Sequence, residues 1–138
     1  MAAFIADVLE LAGLFRRGAD GIAREEGQTQ ARWYALSVFS AEPLTVSQAA
    51  RRLGTTRQGL QRTADDLVDR GLATVEPNPD HRTSPFIRLT EEGRAVLTRI
   101  SEAATVTRRR WLPDPDLDEL EGAHAVVRRL RDTLREQL

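Results

Sequence analysis

Apolar residues recur at three- and four-residue steps over most of this chain, the spacing of one face of a helix. Phe4, Val8, Leu11, Phe15, Ala19 and Ile22 form one such stripe and predict a first helix over residues 3–26. Gly13, Gly18 and Gly21 each cost that helix up to about 1 kcal/mol relative to alanine, so they mark close packing or a break near Gly18. Gly27 ends the segment. Thr29 then caps a second helix to about Ala41, with Trp33, Leu36, Val38 and Phe39 on its apolar face and Pro43 after its stop. Trp33 reads as core, with the wall of a ligand pocket as the alternative.

Beyond Pro43 the elements shorten. Thr45 with Gln48 makes a capping box, so a two-turn helix starts near Val46 and stops at Gly54. Thr55 with Gln58, or Thr56 one residue on, caps the next helix, which runs to Arg70 and stops at Gly71. Two helices joined by a short turn containing glycine make a helix-turn-helix. Residues 72–76 and 86–89 read as strands on either side of the turn-rich stretch 77–85, and a hairpin appended to a helix-turn-helix is a wing. From Glu91 a long helix carries Ala95, Val96, Leu97, Ile100, Ala103, Ala104 and Val106 and ends before Pro113. Asp114 with Pro115 at N1 is the expected cap of a last helix, whose Leu117, Leu120, Val127, Leu130, Leu134 and Leu138 lie close to a heptad seam.

The expected fold is mainly α, an α+β winged helix forming one domain over 1–138. Its winged helix-turn-helix core spans 30–93, flanked by dimerisation helices at 1–28 and 94–138. Assembly enters because the stripes of residues 4–22 and 117–138 exceed what so small a core can cover. Burial of the first stripe against the chain's own last helix is the alternative.

Composition removes whole classes of function. There is no cysteine, which excludes disulfides, thiolate metal sites and thiol-based redox sensing. No stretch approaches a membrane span, and Asp7 and Glu10 interrupt an N-terminus without a basic leader, so a cytoplasmic protein is expected. The 20 basic and 21 acidic residues nearly cancel, and every basic residue is arginine. A nucleic-acid binder of this composition needs a locally basic face.

The second helix of the helix-turn-helix has one. Leu60, Ala64, Leu67 and Val68 share its inner side, while Gln58, Gln61, Arg62, Asp65 and Asp69 point outward. The outer face is Arg and Gln in its first half and Asp in its second, so only the N-terminal half can enter a groove. Arg57, Gln58, Gln61 and Arg62 are the candidate base readers, since Arg pairs with guanine O6/N7 and Gln with adenine N6/N7. Thr45, Ser47, Thr55 and Thr56 stand at helix starts and are candidates for phosphate. His81 and Arg82 at the wing tip suit phosphate or a narrow minor groove. The competing reading is an ordinary solvated helix face. Arg108, Arg109 and Arg110 complement the dipole at their helix end rather than adding a DNA contact.

These residues resemble the MarR family of winged-helix transcriptional regulators. The likeness rests on Leu53, Gly54, Thr55, Thr56 and Arg57, on the run from Leu67 to Leu72, and on Asp80 and Arg82 ahead of Leu89, Thr90 and Gly93. It covers most of the chain and is best between residues 31 and 97. It implies a homodimeric regulator, a repressor, on the double-stranded DNA of a palindromic operator. It also implies that Asp80 supports the wing by holding Arg82 extended. A small aromatic ligand between the dimerisation helices and the winged domain is implied too; no cofactor is. Gly59 stands where the family more often has Thr or Ser, and the segment from Arg82 to Leu89 is one residue longer than usual and contains Pro85.

No catalytic or metal site is legible. His81 and His124 have no Ser, Cys or carboxylate partner at catalytic spacing, and capping explains Asp114, Asp116 and Asp118 better than metal ligation does. An enzyme is therefore not expected. The reading from a different class is a winged-helix protein-interaction module without specific DNA binding, supported by the near-zero net charge and by Asp65, Asp66 and Asp69.

Overall fold

The computed structural model describes residues 1–137. In chain order its elements are α1 (Ala2–Glu25), α2 (Gln30–Ser40), β1 (Leu44–Thr45), α3 (Val46–Leu53), α4 (Arg57–Asp69), β2 (Ala73–Glu76), β3 (Phe86–Leu89), α5 (Glu91–Trp111) and α6 (Leu117–Gln137). This is the winged helix expected from the sequence, mostly helical with a small antiparallel sheet in the order β1-β3-β2.

The helix ends form where local chemistry satisfies them. Thr29 Oγ1 accepts the Arg32 amide at 3.2 Å and starts α2. At α3 both halves of the capping box are made: Thr45 Oγ1 accepts the Gln48 amide at 3.2 Å, and Gln48 Oε1 accepts the Thr45 amide at 2.9 Å. Gly54 closes α3 in the left-handed region at φ 65°. Thr56, the later of the two expected caps, starts α4 by accepting the Gly59 amide at 3.1 Å. Gly71, at φ 72°, ends it by letting the Leu72 amide reach back to the Leu67 carbonyl at 2.8 Å.

The chain divides into two compact units, Met1–Ala104 and the residues from Thr105 on. In the first, Leu36 and Phe39 of α2, Leu67 of α4 and Ile100 of α5 are the largest fully buried side chains. Trp33 is core, as expected, and is 7% exposed. β1 is an element the sequence pattern did not announce: two residues, Leu44 opposite Ile87 and Thr45 opposite Phe86, pair with the returning wing strand. They set the start of α3 beside the wing.

Two expectations change. α1 is unbroken through Gly18, and of its stripe only Ala19 and Ile22 are buried, together with Ala23. Phe4, Val8 and Leu11 are exposed. The second change is at α6, where Asp116 rather than Asp114 is the cap. Its Oδ1 accepts the Asp118 and Glu119 amides at 2.9 and 3.1 Å, while Asp114 turns the chain at φ 55°. Two prolines bracket Asp114, and the turn they impose delays the first helical hydrogen bond. α6 contains no buried residue, and Leu117, Leu120, Val127, Leu130 and Leu134 lie exposed. Leu138, the last position of the seam, lies outside the described residues.

Candidate nucleic-acid interface

α4 buries Leu60, Ala64 and Leu67. That orientation leaves Arg57, Gln58 and Arg62 exposed and Gln61 half-buried on the other side. Gln61 is half-buried because it faces a shallow groove between α4 and the wing, lined by Ser47, Arg57, Asp65, Thr83 and Pro85 among others. Arg57 and Arg62 have no acidic partner among the described residues, so both guanidinium groups keep all five donors available.

Two of the three acids of α4 are engaged by neighbours. Asp66, on the flank toward α2, accepts from Arg32 Nε at 2.6 Å and from Arg70 Nε at 2.8 Å. The hydrogen bonds from Arg70 and then Arg32 hold its carboxyl below the ordinary aspartate range against a smaller opposing effect of burial. Arg32 also reaches Gln28 Oε1 at 3.3 Å, so a single side chain ties the turn before α2 to α4. Asp65 accepts from Gln61 Nε2 at 2.9 Å. Of the three carboxylates, two are therefore engaged by neighbours on the helix or behind it, and they do not form one free acidic patch.

The expected phosphate contacts fall into two groups. Ser47, Thr55 and Thr56 stand at the starts of α3 and α4, half-buried in the case of Ser47 and exposed for the threonines. Thr45 is 7% exposed and its hydroxyl is occupied by the capping box, so its visible work is to build the start of α3. At Gly59 an added Cβ would sit 2.9 Å from Thr56 Oγ1, the oxygen that caps the helix. A side chain there requires the Thr56 hydroxyl to shift slightly.

The wing is a hairpin in register, with Val75 opposite Ile87 and Glu76 opposite Phe86. Arg88 Nε meets Glu76 Oε1 at 2.6 Å across its strands. His81 and Arg82 are exposed at the tip, as expected. Among the described residues neither Asp80 nor Arg82 has an ion-pair partner, and the tie across the loop is Asn78. Asn78 Nδ2 donates to the Ser84 carbonyl at 2.9 Å, its Oδ1 accepts the Asp80 amide at 3.1 Å, and the residue is 7% exposed. An Asn between two prolines is a signal for an Asx turn, and that signal was available in the sequence.

The Leu-Thr-x-x-Gly string at residues 89–93 also has a geometric cause. Thr90 Oγ1 donates to the Gly71 carbonyl at 2.7 Å and accepts the Gly93 amide at 3.0 Å, so one hydroxyl joins the end of α4 to the start of α5. A Cβ at residue 93 would lie 2.0 Å from the Leu72 carbonyl oxygen. Only glycine lets the two backbones approach this closely.

Among the described residues no group of three or more His, Asp or Glu side chains is placed to hold a metal ion, and no helix is long and apolar enough to cross a membrane. The family model that matches the chain is that of the MarR family, over residues 26–82, the span from the turn before α2 to the wing tip. The uncharacterised protein Rv2011c of Mycobacterium tuberculosis is 54% identical over 130 residues, covering 94% of this chain and 91% of that protein. Among solved structures, AbsC, a MarR family transcriptional regulator from Streptomyces coelicolor, is similar at a TM-score of 0.87 with 17% identity, covering 98% of this chain and 94% of that one. CouR from Rhodococcus jostii RHA1, solved bound to p-coumaroyl-CoA, is similar at a TM-score of 0.72 with 22% identity, covering 93% and 86%.

Proposed function

This chain belongs to the MarR family of transcriptional regulators, and from that premise we propose that it is a homodimeric repressor of a palindromic operator, released by a small aromatic ligand. The observation that carries the proposal is the outer face of α4, where Arg57, Gln58, Gln61 and Arg62 stand together and neither arginine has an acidic partner among the described residues. An unpaired guanidinium on an exposed recognition helix has its full fork available for guanine O6 and N7. In this reading the first half of α4 enters the major groove, Ser47, Thr55 and Thr56 meet phosphates, and His81 and Arg82 follow the backbone or the flanking minor groove. The exposed apolar residues of α1, and separately those of α6, support the dimer, because a monomer in water rarely leaves such helix faces uncovered. Support for a ligand is indirect: the similar CouR was solved with an aromatic acyl-CoA bound. A regulator of chromosomal genes works in the cytoplasm.

Gel retardation on the DNA upstream of the chain's own gene tests the proposal. A shift is expected that competitor DNA does not remove and that weakens steeply as salt is raised. No shift at low salt favours the protein-interaction module instead.

A further inference from the structure

Two glutamines stand on the reading face of α4, and the structure treats them differently. Gln58 has no side-chain partner among the described residues, so its amide can turn over freely. Gln61 donates through Nε2 to Asp65 Oδ1 at 2.9 Å, one helical turn on. Chemistry dictates the orientation of that amide, because a carboxylate only accepts and an amide oxygen turned toward it would be repelled. The carbonyl oxygen of Gln61 is thereby directed away from Asp65, and one N–H remains uncommitted.

We infer that Asp65 is a positioning residue that restricts what Gln61 reads at the operator, so that Gln61 selects an adenine. The inference rests on the DNA-reading role proposed above and goes one step further, to the base. An outward carbonyl oxygen seeks a donor, and in the major groove the donors are the exocyclic amines of adenine and cytosine. Adenine also offers N7 to the remaining N–H, which cytosine cannot, so adenine ranks first and cytosine second. Thymine and guanine present acceptors at the corresponding edge and meet the wrong atom. Without Asp65 the amide can turn over, and its NH2 group then serves thymine O4 or guanine O6. Asp65 also imposes a cost, since its negative charge near DNA lowers affinity for every sequence alike.

The test is a wild-type operator obtained by selection from a randomised duplex pool, followed by affinities for all single base-pair changes. Gln61→Ala identifies the base pair per half-site that Gln61 reads. At that pair the wild type should prefer adenine over thymine and guanine by roughly tenfold or more. Asp65→Ala should reduce that ratio to within about threefold while binding all duplexes somewhat more tightly, and should leave the preference at other pairs intact. Asp65→Glu keeps an acceptor-only group at the same helical spacing and should restore the preference, which a merely structural role would not require. The melting temperature of Asp65→Ala should move by no more than about 2 °C, as for an exposed pair. Wild-type discrimination that survives in Asp65→Ala overturns the inference, as does a preference for thymine or guanine at the Gln61 pair. A wild type that selects no sequence at all overturns the DNA-reading role itself, a distinct result.

Discussion

Arg32 on α2 donates from Nε to Asp66 on α4 at 2.6 Å, joining residues 34 positions apart through one of the few long-range ion pairs of the winged unit. The bond lies behind the reading face, so it acts on the placement of α4 rather than on DNA. Asp66 also accepts from Arg70, and the two arginines depress its pKa, Arg70 first. A carboxyl whose pKa is lower when folded stabilises the fold above its unfolded value, ordinarily 3.8, and ceases to do so as pH falls through the folded value. Asp66→Asn should therefore be less stable than the parent near neutrality, by at most about 1 kcal/mol because the pair is partly solvated.

The difference should shrink as the pH falls below 3.8 and on through the lower folded value, where the carboxyl of the parent is protonated in both states. Urea midpoints for parent and variant across that range measure it. A gap that stays constant with pH means the loss comes from packing and not from the ionised pair.

Gly93 supplies a prediction with a built-in control. Its missing Cβ makes room for the Leu72 carbonyl, a backbone atom that cannot step aside. Gly93→Ala should cost at least about 2 kcal/mol, or prevent folding, because either α5 or the end of α4 has to move. At Gly21, inside α1, an added Cβ meets nothing within 4 Å. Gly21→Ala should instead stabilise by up to about 1 kcal/mol through helix propensity alone. Denaturant titrations of the two variants give opposite signs if this account is right.

The wing yields a pair of substitutions that separate support from charge. Asn78 makes both loop-closing hydrogen bonds and is buried, so Asn78→Ala should loosen the tip and weaken DNA binding several-fold, about 1 kcal/mol per lost bond. Asp80 has no ion pair with Arg82 among the described residues, so its removal subtracts a negative charge and little else. Asp80→Ala should bind DNA more tightly, most visibly at low salt. Weaker binding by that variant would restore Asp80 as the guide of Arg82. Arg82→Ala should weaken binding to all duplexes and lower the salt slope by about one unit.

What was legible in the sequence was what neighbours decide. Thr29, Thr45 with Gln48, Gly54 and Gly71 act on their own helix ends, within a turn or so along the chain, and each lies where its residue type implies. The strand at Leu44 and Thr45 was not legible, because two residues carry no periodicity and their pairing depends on Ile87 and Phe86. The same reason hid Asp66. Helical periodicity sets Asp65 and Asp69 outward, but only the position of Arg32 on another helix tells what holds Asp66. The candidate base readers were legible because the buried stripe of Leu60, Ala64 and Leu67 orients everything opposite it. Which of them is held, and by what, required coordinates.

Leu130 and Leu134 decide whether the apolar face of α6 is used. They are 42% and 53% exposed in the single chain. If the protein functions as a monomer, replacing both with Glu exchanges exposed apolar surface for charge on a helix, which should be harmless or should improve solubility. If α6 packs against a second copy, the same change buries two carboxylates in an apolar seam at a cost of several kcal/mol, and the dimer should dissociate. Specific operator binding should be lost with it, because two half-sites one helical turn apart need two recognition helices held at a fixed separation. Analytical ultracentrifugation and operator titration on the double variant are to be read together. Monomer that has lost tight operator binding is the expected outcome, with helix content retained by circular dichroism. A monomer that still holds the palindromic site as tightly as the parent contradicts the dimeric mechanism, and an intact dimer would move the interface away from this face of α6.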